Sequence, residues 1–387
     1  MNHGQMKEEL VRLHSEGLLR RPVSFDLING KEAVLKGRKV VIFSSNNYLD
    51  LAGHPAVVEA GVIAMRKYGA GGGASRLVSG TFPVHEELEH TIRLFKKTES
   101  ALLFNSGYHA NIGVIPALVG RGDDVFSDRL NHGSILDGCI LSRANIRRYP
   151  HCDMSALERL IKNSRSRRRL IITEGVFSME GRVAPLREIT WLSQRYGALV
   201  YLDDAHAVGV MGKEGRGALE HLGIENDSVI EMATLGKAFG SYGAFVAGGK
   251  PLIDLLMNKA RSFIYTTSLP PAVCAVSMKA IEAASLEPWR RKAVIDNSVY
   301  LMRRLKDEGF DVMQTHTHIV PLFIGGAKKV MDISARLIDR GFFIQGIRPP
   351  TVPNGTSRLR ITVTAGHTKE DIDGVVIALK DIIGDTT

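Results

Sequence analysis

The chain has 387 residues, of which 44% are hydrophobic and 24% charged, and its formal net charge is +9. This length is large for one hydrophobic core, so we expect a globular protein with one large and one smaller domain. No apolar run approaches the roughly 20 residues of a membrane span, and Met1–Leu10 lacks the apolar core of a signal peptide. The sequence therefore argues against a membrane or secreted protein, and we expect a cytoplasmic one.

The positive charge has three interpretations. Nucleic-acid binding is one, but only one basic run stands out, residues 165–169, and it has no interleaved aromatic residues. A solvated basic surface explains the charge more simply. Attraction of an anionic small substrate such as an acyl-CoA is the third interpretation. We predict no nucleic-acid partner and no membrane partner.

The three cysteines are Cys139, Cys152 and Cys274, and they are scattered without the spacing of a metal site. Such usage is typical of a reducing compartment and indicates no disulfide framework. We therefore predict no bound metal.

Predicted strands alternate with helical stretches between about residues 40 and 250. The segment Leu170–Glu174 is almost continuously apolar, as in a parallel sheet that is buried on both faces. Predicted helices cover residues 6–16, 55–68, 110–119 and 186–196, and predicted strands cover 40–43, 100–104, 125–128, 170–174, 198–203, 228–233 and 243–248. This alternation predicts an α/β domain with a mostly parallel sheet.

The C-terminal part has a different pattern. After a helical stretch around 289–307, predicted strands cover 319–324, 342–347 and 358–363, and predicted helices cover 327–339 and 369–383. These elements indicate a compact α+β unit of about a hundred residues. We expect an N-terminal helix and strand segment over 1–45, the large domain over 46–285 and the C-terminal domain over 286–387.

Lys237 is the principal candidate for chemistry. It lies in the glycine-rich turn Gly236–Gly240, directly after a β-prone run, and a lysine whose ammonium form is destabilised by burial becomes a nucleophilic amine. Asp203 ends an earlier apolar strand, where an aspartate can keep a pyridinium nitrogen protonated. A Schiff-base lysine and a ring counter-ion are what pyridoxal 5′-phosphate requires.

The turn Asn105–Tyr108 is a candidate phosphate cradle. It is rich in small residues and leads into a helix, whose first N–H groups lack partners and whose dipole favours an anion. Other polar motifs also follow strands, and in such sheets ligands collect at the carboxyl ends of the strands. The motifs that share this position are Ser106-Gly107, His132, Ser178, Asp203–His206 and Thr234–Lys237. Their shared position predicts one common site.

The combination of Asp203–His206 with Thr234–Lys237 resembles the α-oxoamine synthases, which have the aspartate-aminotransferase-like fold (fold type I) of pyridoxal phosphate enzymes. The resemblance covers nearly the whole chain, from Ser44–Leu49 to the C-terminal strands. Further matching segments are Ser106–Asn111, Asp128–His132, Glu174–Met179 and Gly236–Gly240. It implies a large, mostly parallel sheet domain, a smaller C-terminal α+β domain and an acyltransferase that uses pyridoxal 5′-phosphate.

The resemblance implies roles for the residues around the cofactor. Lys237 would form the Schiff base and later remove the α-proton, so it is a catalytic residue. His132 would stack on the ring and help position substrates. Asp203 would pair with the ring nitrogen. The other implied cofactor contacts are Ser178 and His206 to the phenolic oxygen, and Gly107, Tyr108, Thr234 and Thr266 to the phosphate. Thr266 would act across a homodimer with a shared active site.

The resemblance also implies substrate contacts. Arg360 would bind the amino acid carboxylate, because a planar guanidinium binds a carboxylate with two hydrogen bonds. Asn46 would contact substrate, and Arg20 and Thr351 would line the entrance for the acyl substrate. The adjacent Arg21 is not separable from Arg20 by sequence.

Some of these residues also have ordinary structural interpretations. His132 precedes Gly133 and, taken alone, is more typical of a capping or loop histidine, and Ser178 could be a simple turn residue. Asp204 is expected to be structural. So is Arg358, which shares a strand face with Arg360 because side chains alternate along a strand.

Members of the family condense glycine, alanine or serine with different acyl thioesters. The segment Ile347–Arg360 is most similar to the branch that joins L-alanine to a pimeloyl thioester, either pimeloyl-CoA or pimeloyl acyl carrier protein, in biotin biosynthesis. The branch that joins glycine to acetyl-CoA is the main alternative, and another α-oxoamine synthase that uses a different acyl thioester is a further one. A non-catalytic regulator with this fold and a nucleic-acid binder are rival hypotheses, but an intact lysine, aspartate and arginine set argues against the regulator.

Overall fold

The computed structural model describes residues 2–225 and 228–384. The chain divides into two compact units. The core unit comprises Asn47–Ser178 and Val183–Arg291, and the terminal unit comprises Met1–Asn46, Met179–Arg182 and Lys292–Thr387. The sequence predicts boundaries after residues 45 and 285, and nothing in it indicates the short excursion at Met179–Arg182.

The core unit is built on one seven-stranded sheet. Its strands are β4 (Ser100–Phe104), β5 (Asp124–Asp128), β6 (Asn145–Tyr149), β7 (Arg169–Glu174), β8 (Leu199–Asp203), β9 (Val229–Thr234) and β10 (Ala244–Gly248), in the spatial order β4-β10-β9-β8-β7-β5-β6. Only β10 runs antiparallel to its neighbours. The expected mostly parallel sheet of a type I pyridoxal phosphate fold is therefore confirmed.

Ten helices of the core unit are described: α2 (Pro55–Tyr68), α3 (Pro83–Lys96), α4 (Gly107–Leu118), α5 (Gly133–Ser142), α6 (Met154–Lys162), α7 (Leu186–Tyr196), α8 (Ala218–Leu222), α9 (Lys250–Lys259), α10 (Arg261–Ile264) and α11 (Pro271–Leu286). Apolar side chains of α4 and α5, such as Val114 and Ile135, are fully buried in one cluster with the strand residues Ile172 and Val246. Since burial of one such side chain contributes about 1.5–3 kcal/mol, this cluster fixes the strand ends in place.

The terminal unit contains two small sheets. One joins β1 (Leu27–Asn29), β2 (Glu32–Leu35), β3 (Arg38–Ile42) and β12 (Phe342–Phe343), and the other joins β11 (Ile319–Gly325), β14 (Ser357–Thr362) and β13 (Gly346–Ile347). Its helices are α1 (His3–Ser15), α13 (Ala327–Asp339), α14 (Lys369–Gly384) and α12 (Trp289–Asp307), whose first turn belongs to the core unit. Among the helices of the described residues, none combines the length and apolar character that a membrane crossing requires.

One predicted strand of the terminal unit, over residues 342–347, is wrong. The run 342–347 divides into two short strands because Phe342 and Phe343 pair with β3, whereas Gly346 and Ile347 pair with β14 of the other sheet. The intervening Ile344 is fully buried, so the chain passes from one sheet to the other without leaving the interior.

Candidate active site

Lys237 lies three residues after the end of β9, in a turn at the carboxyl edge of the core sheet. Its Nζ lies 2.8 Å from Nε2 of His206, and Nδ1 of His206 lies 2.7 Å from the hydroxyl of Tyr48. The Lys237 side chain is half-buried, whereas His206 and Tyr48 are buried. The lysine therefore lies against an imidazole that is itself fixed by a buried tyrosine.

Asp203 ends β8 with 7% of its surface exposed. Its Oδ2 accepts a hydrogen bond from Nδ2 of Asn111 at 2.9 Å, and its Oδ1 accepts from the backbone N–H of Ala205 at 3.2 Å. The hydroxyl of Tyr201 in turn donates to Oδ1 of Asn111 at 2.8 Å. These bonds hold an anionic carboxylate at the sheet edge, which suits a group that carries a positive charge.

His132 is the N-cap of α5, and Nδ1 of its side chain accepts a hydrogen bond from the backbone N–H of Ser134 at 3.3 Å. Nδ1 also lies 2.7 Å from the hydroxyl of Ser134. The backbone N–H of His132 donates to Oε1 of Glu174 at 2.6 Å. The capping interpretation is thus observed, and the exposed ring remains available for stacking.

Glu174 at the end of β7 lies beneath this loop. Its Oε2 accepts a hydrogen bond from the backbone N–H of Ser178 at 3.4 Å, so one carboxyl group holds both His132 and Ser178 by their backbones. Burial, reinforced by the negative charge of Asp203, raises the pKa of Glu174 well above its ordinary value. The buried carboxyl group of Glu174 therefore positions the two loops around the site, and its raised pKa disfavours the charged form.

The first turn of α4 supplies the candidate phosphate cradle. The side chain of Ser106 caps the helix by accepting from the backbone N–H of His109 at 3.2 Å, and the N–H groups of Gly107 and Tyr108 lie in the first turn, where they have no intrahelical acceptor. On β9, the hydroxyl of Thr234 donates to the backbone carbonyl of Gly243 at 2.9 Å.

Thr266 lies beside the same turn of its own chain. Its hydroxyl accepts a hydrogen bond from Nδ2 of Asn105 at 3.2 Å. Its predicted contact across a dimer therefore stays a prediction.

These features fit pyridoxal 5′-phosphate. The residues present offer an amine at Lys237, a fixed carboxylate at Asp203 and the free N–H groups of a helix N-terminus, which match the aldehyde, ring nitrogen and phosphate of the cofactor. Each part belongs to the carboxyl edge of one sheet, as the shared position of the motifs predicts.

Asp204, in contrast, is structural in its contacts. Its Oδ2 accepts from the backbone N–H of Ala218 at 2.9 Å, and burial raises its pKa to about 7.

The residues that are predicted to contact the substrates belong to the terminal unit. Nη1 of Arg360 donates to Oδ1 of Asn46 at 3.2 Å, and Nη2 of Arg20 donates to the hydroxyl of Thr351 at 3.3 Å. Arg358 pairs with Glu180 at 3.0 Å and is 3% exposed, which agrees with a structural role.

Arg20, Arg21 and Thr351 line a cleft of about 770 Å³ in this unit, together with Arg348. The cleft is large enough for an acyl chain, and the arginines give it positive charge. Both adjacent arginines contribute to its wall, so the structure does not separate them.

Sequence reasoning assigned no role to four residues that organise the site: Tyr48, Asn111, Ser134 and Glu174. Asn111 had a usable signal, because it is an amide that begins an otherwise apolar run in α4, and buried polar groups require partners. Glu174 had a similar signal as a carboxyl group at the end of an apolar strand. Tyr48 and Ser134 had none, since their partners are distant or depend on side-chain geometry.

Known proteins are similar to this chain over nearly its whole length. Residues 38–379 match the family of class I and II aminotransferases. The chain is 51% identical to 8-amino-7-oxononanoate synthase of Geobacter metallireducens, over 97% of both chains, and 50% identical to that of Geobacter sulfurreducens, over 97% of this chain and 96% of the relative. Among solved structures, serine palmitoyltransferase from S. paucimobilis, with a bound PLP–myriocin aldimine, superposes with a TM-score of 0.94 at 31% identity over 98% of this chain and 97% of that one.

Proposed function

Because the chain belongs to the class I and II aminotransferases and, within them, to the α-oxoamine synthases, we propose that it condenses L-alanine with a pimeloyl thioester. The product is 8-amino-7-oxononanoate, an intermediate of biotin biosynthesis. The observation that carries this proposal is the 51% identity to a synthase of that name over 97% of both chains. The match covers nearly the whole chain and therefore extends over both units.

The reaction joins Cα of alanine to the acyl carbon, releases the thiol carrier and loses the alanine carboxylate as carbon dioxide. The cofactor, pyridoxal 5′-phosphate, supplies the electron sink for the carbanion at Cα. Lys237 would hold the cofactor covalently and would move the proton at Cα. Asp203 would keep the ring nitrogen protonated, and His206 and Ser178 would bind the phenolic oxygen.

The remaining residues bind and orient. The N–H groups of Gly107 and Tyr108, with the hydroxyls of Thr234 and Thr266, hold the phosphate. Arg360 and Asn46 bind the amino acid, and Arg20 and Thr351 line the path of the acyl substrate. His132 stacks on the ring. The enzyme acts as a cytoplasmic homodimer, with Thr266 serving the site of the partner subunit.

Substrate choice is tested by thiol release. The purified enzyme is supplied with L-alanine and pimeloyl-CoA, with L-alanine and pimeloyl acyl carrier protein, and with glycine and acetyl-CoA. We expect turnover with L-alanine and at least one pimeloyl thioester. Turnover with the glycine and acetyl-CoA pair alone would show that the enzyme is a glycine C-acetyltransferase.

Cofactor attachment is tested by colour. A lysine Schiff base of pyridoxal phosphate absorbs in the near-visible range, and Lys237→Ala should abolish that band. Lys213→Ala, at an exposed lysine of the same unit, should retain it. A wild-type protein that stays colourless after addition of pyridoxal phosphate would exclude the enzyme hypothesis.

A further inference from the structure

The residues around Asn111 form a hydrogen-bond chain in which the direction of every bond can be assigned. Asn111 is 1% exposed and its side-chain amide has one acceptor and two N–H donors. Its Oδ1 accepts from the Tyr201 hydroxyl at 2.8 Å. Its Nδ2 donates to Oδ2 of Asp203 at 2.9 Å and to the Ser134 hydroxyl oxygen at 2.8 Å.

The opposite orientation of the amide is unfavourable. It would direct Oδ1 of Asn111 at the carboxylate of Asp203, so that two acceptors would face one another in a buried site. The charge of Asp203 and the hydroxyl of Tyr201 therefore select the same orientation. In that orientation the Ser134 oxygen accepts from Asn111, and the Ser134 proton is free to point elsewhere.

The Ser134 proton has an acceptor in His132. Nδ1 of His132 lies 2.7 Å from the Ser134 hydroxyl and 3.3 Å from the Ser134 backbone nitrogen, which can only donate. A protonated Nδ1 would oppose that N–H group, so Nδ1 is the acceptor of both bonds. The proton of a neutral His132 must then reside on Nε2.

We propose that Tyr201, Asn111 and Ser134 are positioning residues that fix His132 as the Nε2–H tautomer and couple its orientation to Asp203. His132 thereby presents an N–H donor, rather than a lone pair, on the side of its ring that faces away from Ser134. The same amide holds the carboxylate that we assign to the ring nitrogen, so one side chain aligns both groups. These hydrogen bonds belong to the protein without its cofactor, and they are the same whichever thioester reacts.

The test is the tautomer of His132, read from its two ¹⁵N shifts in full-length protein labelled at histidine, with and without pyridoxal phosphate. His132→Gln assigns the signals. At a pH above the ordinary titration range of histidine, we expect the wild type to show Nε2–H with no detectable Nδ1–H. In Ser134→Ala and Asn111→Ala the Nδ1–H fraction should rise roughly tenfold toward that of free histidine, as expected for one lost hydrogen bond.

Ser142→Ala is the matched control, because Ser142 is a buried serine of the same helix whose hydroxyl donates to the carbonyl of Cys139. It should leave the tautomer unchanged. Tyr201→Phe keeps the shape of the core and should give an intermediate Nδ1–H fraction. A wild type with Nδ1–H, or variants with the wild-type ratio, would overturn the proposal. If Asn111→Ala does not fold, the wild type, Ser134→Ala and Tyr201→Phe still decide it.

A second readout separates positioning from general stability. Asn111→Ala should weaken the equilibrium affinity for pyridoxal phosphate by roughly tenfold, because Asp203 loses a charge-assisted hydrogen bond. Ser134→Ala leaves the hydrogen bond from Asn111 to Asp203 in place and should change that affinity less. Equal losses in both variants would contradict the assigned role of Asn111. If the wild type does not turn over L-alanine with a pimeloyl thioester but the wild type and all variants show the expected tautomer fractions of His132, only the proposed function is contradicted.

Discussion

His206 is held from both sides, by Tyr48 at Nδ1 and by Lys237 at Nε2. When Lys237 is an ammonium group it can only donate, so Nε2 accepts and Nδ1–H donates to the tyrosine oxygen. The ammonium group thus sets the tautomer of the imidazole, and the oxygen of the fully buried Tyr48 satisfies its Nδ1–H. At the scale of single residues, the site depends on such fixed donors and acceptors.

Tyr48→Phe tests this dependence. The variant leaves no cavity, but it removes the oxygen opposite Nδ1 of His206 in a buried position. We expect a loss of about 1–3 kcal/mol in the free energy of unfolding, measured by urea denaturation of the apoprotein. Tyr265→Phe changes an exposed tyrosine and should have no measurable effect. Wild-type stability in Tyr48→Phe would show that this hydrogen bond is unimportant.

His367 predicts a pH dependence of the terminal unit. Its Nδ1 accepts from the backbone N–H of Thr364 at 2.9 Å, its Nε2 lies 3.1 Å from the carbonyl of Ile42, and burial lowers its pKa from the usual 6.5 to about 4. The unfolded chain binds a proton near pH 6.5 and the folded chain only near pH 4. The stability that neutral His367 contributes is therefore present above pH 6.5 and is lost as the pH falls toward 4.

The size of this loss is about 3 kcal/mol for full protonation. His367→Gln cannot titrate, so its stability should fall less steeply than that of the wild type when urea unfolding is repeated between pH 7 and pH 4. His316→Gln, at an exposed histidine of the same unit, is the control and should follow the wild-type profile. Parallel profiles for His367→Gln and the wild type would refute the argument.

At the scale of elements, the spacing of α4 and α5 controls the site. Gly138 of α5 lies against α4 so closely that an added Cβ would come within 2.6 Å of the backbone oxygen of Asn111. A backbone atom cannot move aside without shifting its helix. The residue that aligns Asp203 and His132 therefore belongs to a helix whose position depends on a glycine.

Gly138→Ala should consequently destabilise the protein by about 1–3 kcal/mol through overpacking and should also weaken pyridoxal phosphate binding. Gly133→Ala is a matched control on the same helix, because a Cβ there meets no atom within 4 Å. It should be neutral or slightly stabilising. Thermal unfolding and cofactor titration of both variants measure the two effects. Equal stability of the two variants would mean that α4 and α5 can move apart with little loss of folding free energy.

Helices and strands could be predicted where one continuous stretch of sequence forms a single helix or strand. The apolar run 170–174 predicted β7, and 327–339 predicted α13, because periodicity and length are local properties. The division of 342–347 between two sheets could not be predicted, since it is decided by pairing partners at Val41 and Leu359 that are distant in sequence. The hairpin of β1 and β2 was missed because both strands are short and β1 is exposed throughout.

The same distinction applies to the site. Lys237, Asp203 and the turn before α4 follow from motifs that sit at strand ends, so they could be found by sequence alone. The bonds that join Asn111 to Asp203 and to Ser134 connect residues 92 and 23 positions apart. Such contacts are set by how α4 and α5 pack on the sheet, which no local pattern records.

At the scale of the whole molecule, the question is which chain supplies Thr266 to each site. Its hydroxyl contacts Asn105 of its own chain, the first residue of the candidate phosphate cradle. The proposed homodimer instead assigns Thr266 to the site of the partner subunit. Both arrangements place a hydroxyl near a phosphate, so binding measurements on a single variant do not separate them.

Mixed dimers separate the two arrangements. One chain carries Lys237→Ala and the other Thr266→Ala, with different affinity tags for purification. If Thr266 acts across the dimer, one site has both defects and the other has none, so half of the sites should bind pyridoxal phosphate with wild-type affinity and form the near-visible band. If Thr266 acts within its own chain, the only lysine-containing site lacks Thr266. Its cofactor affinity should then be roughly tenfold or more below wild type, as for the Thr266→Ala homodimer, because a charge-assisted hydrogen bond is missing.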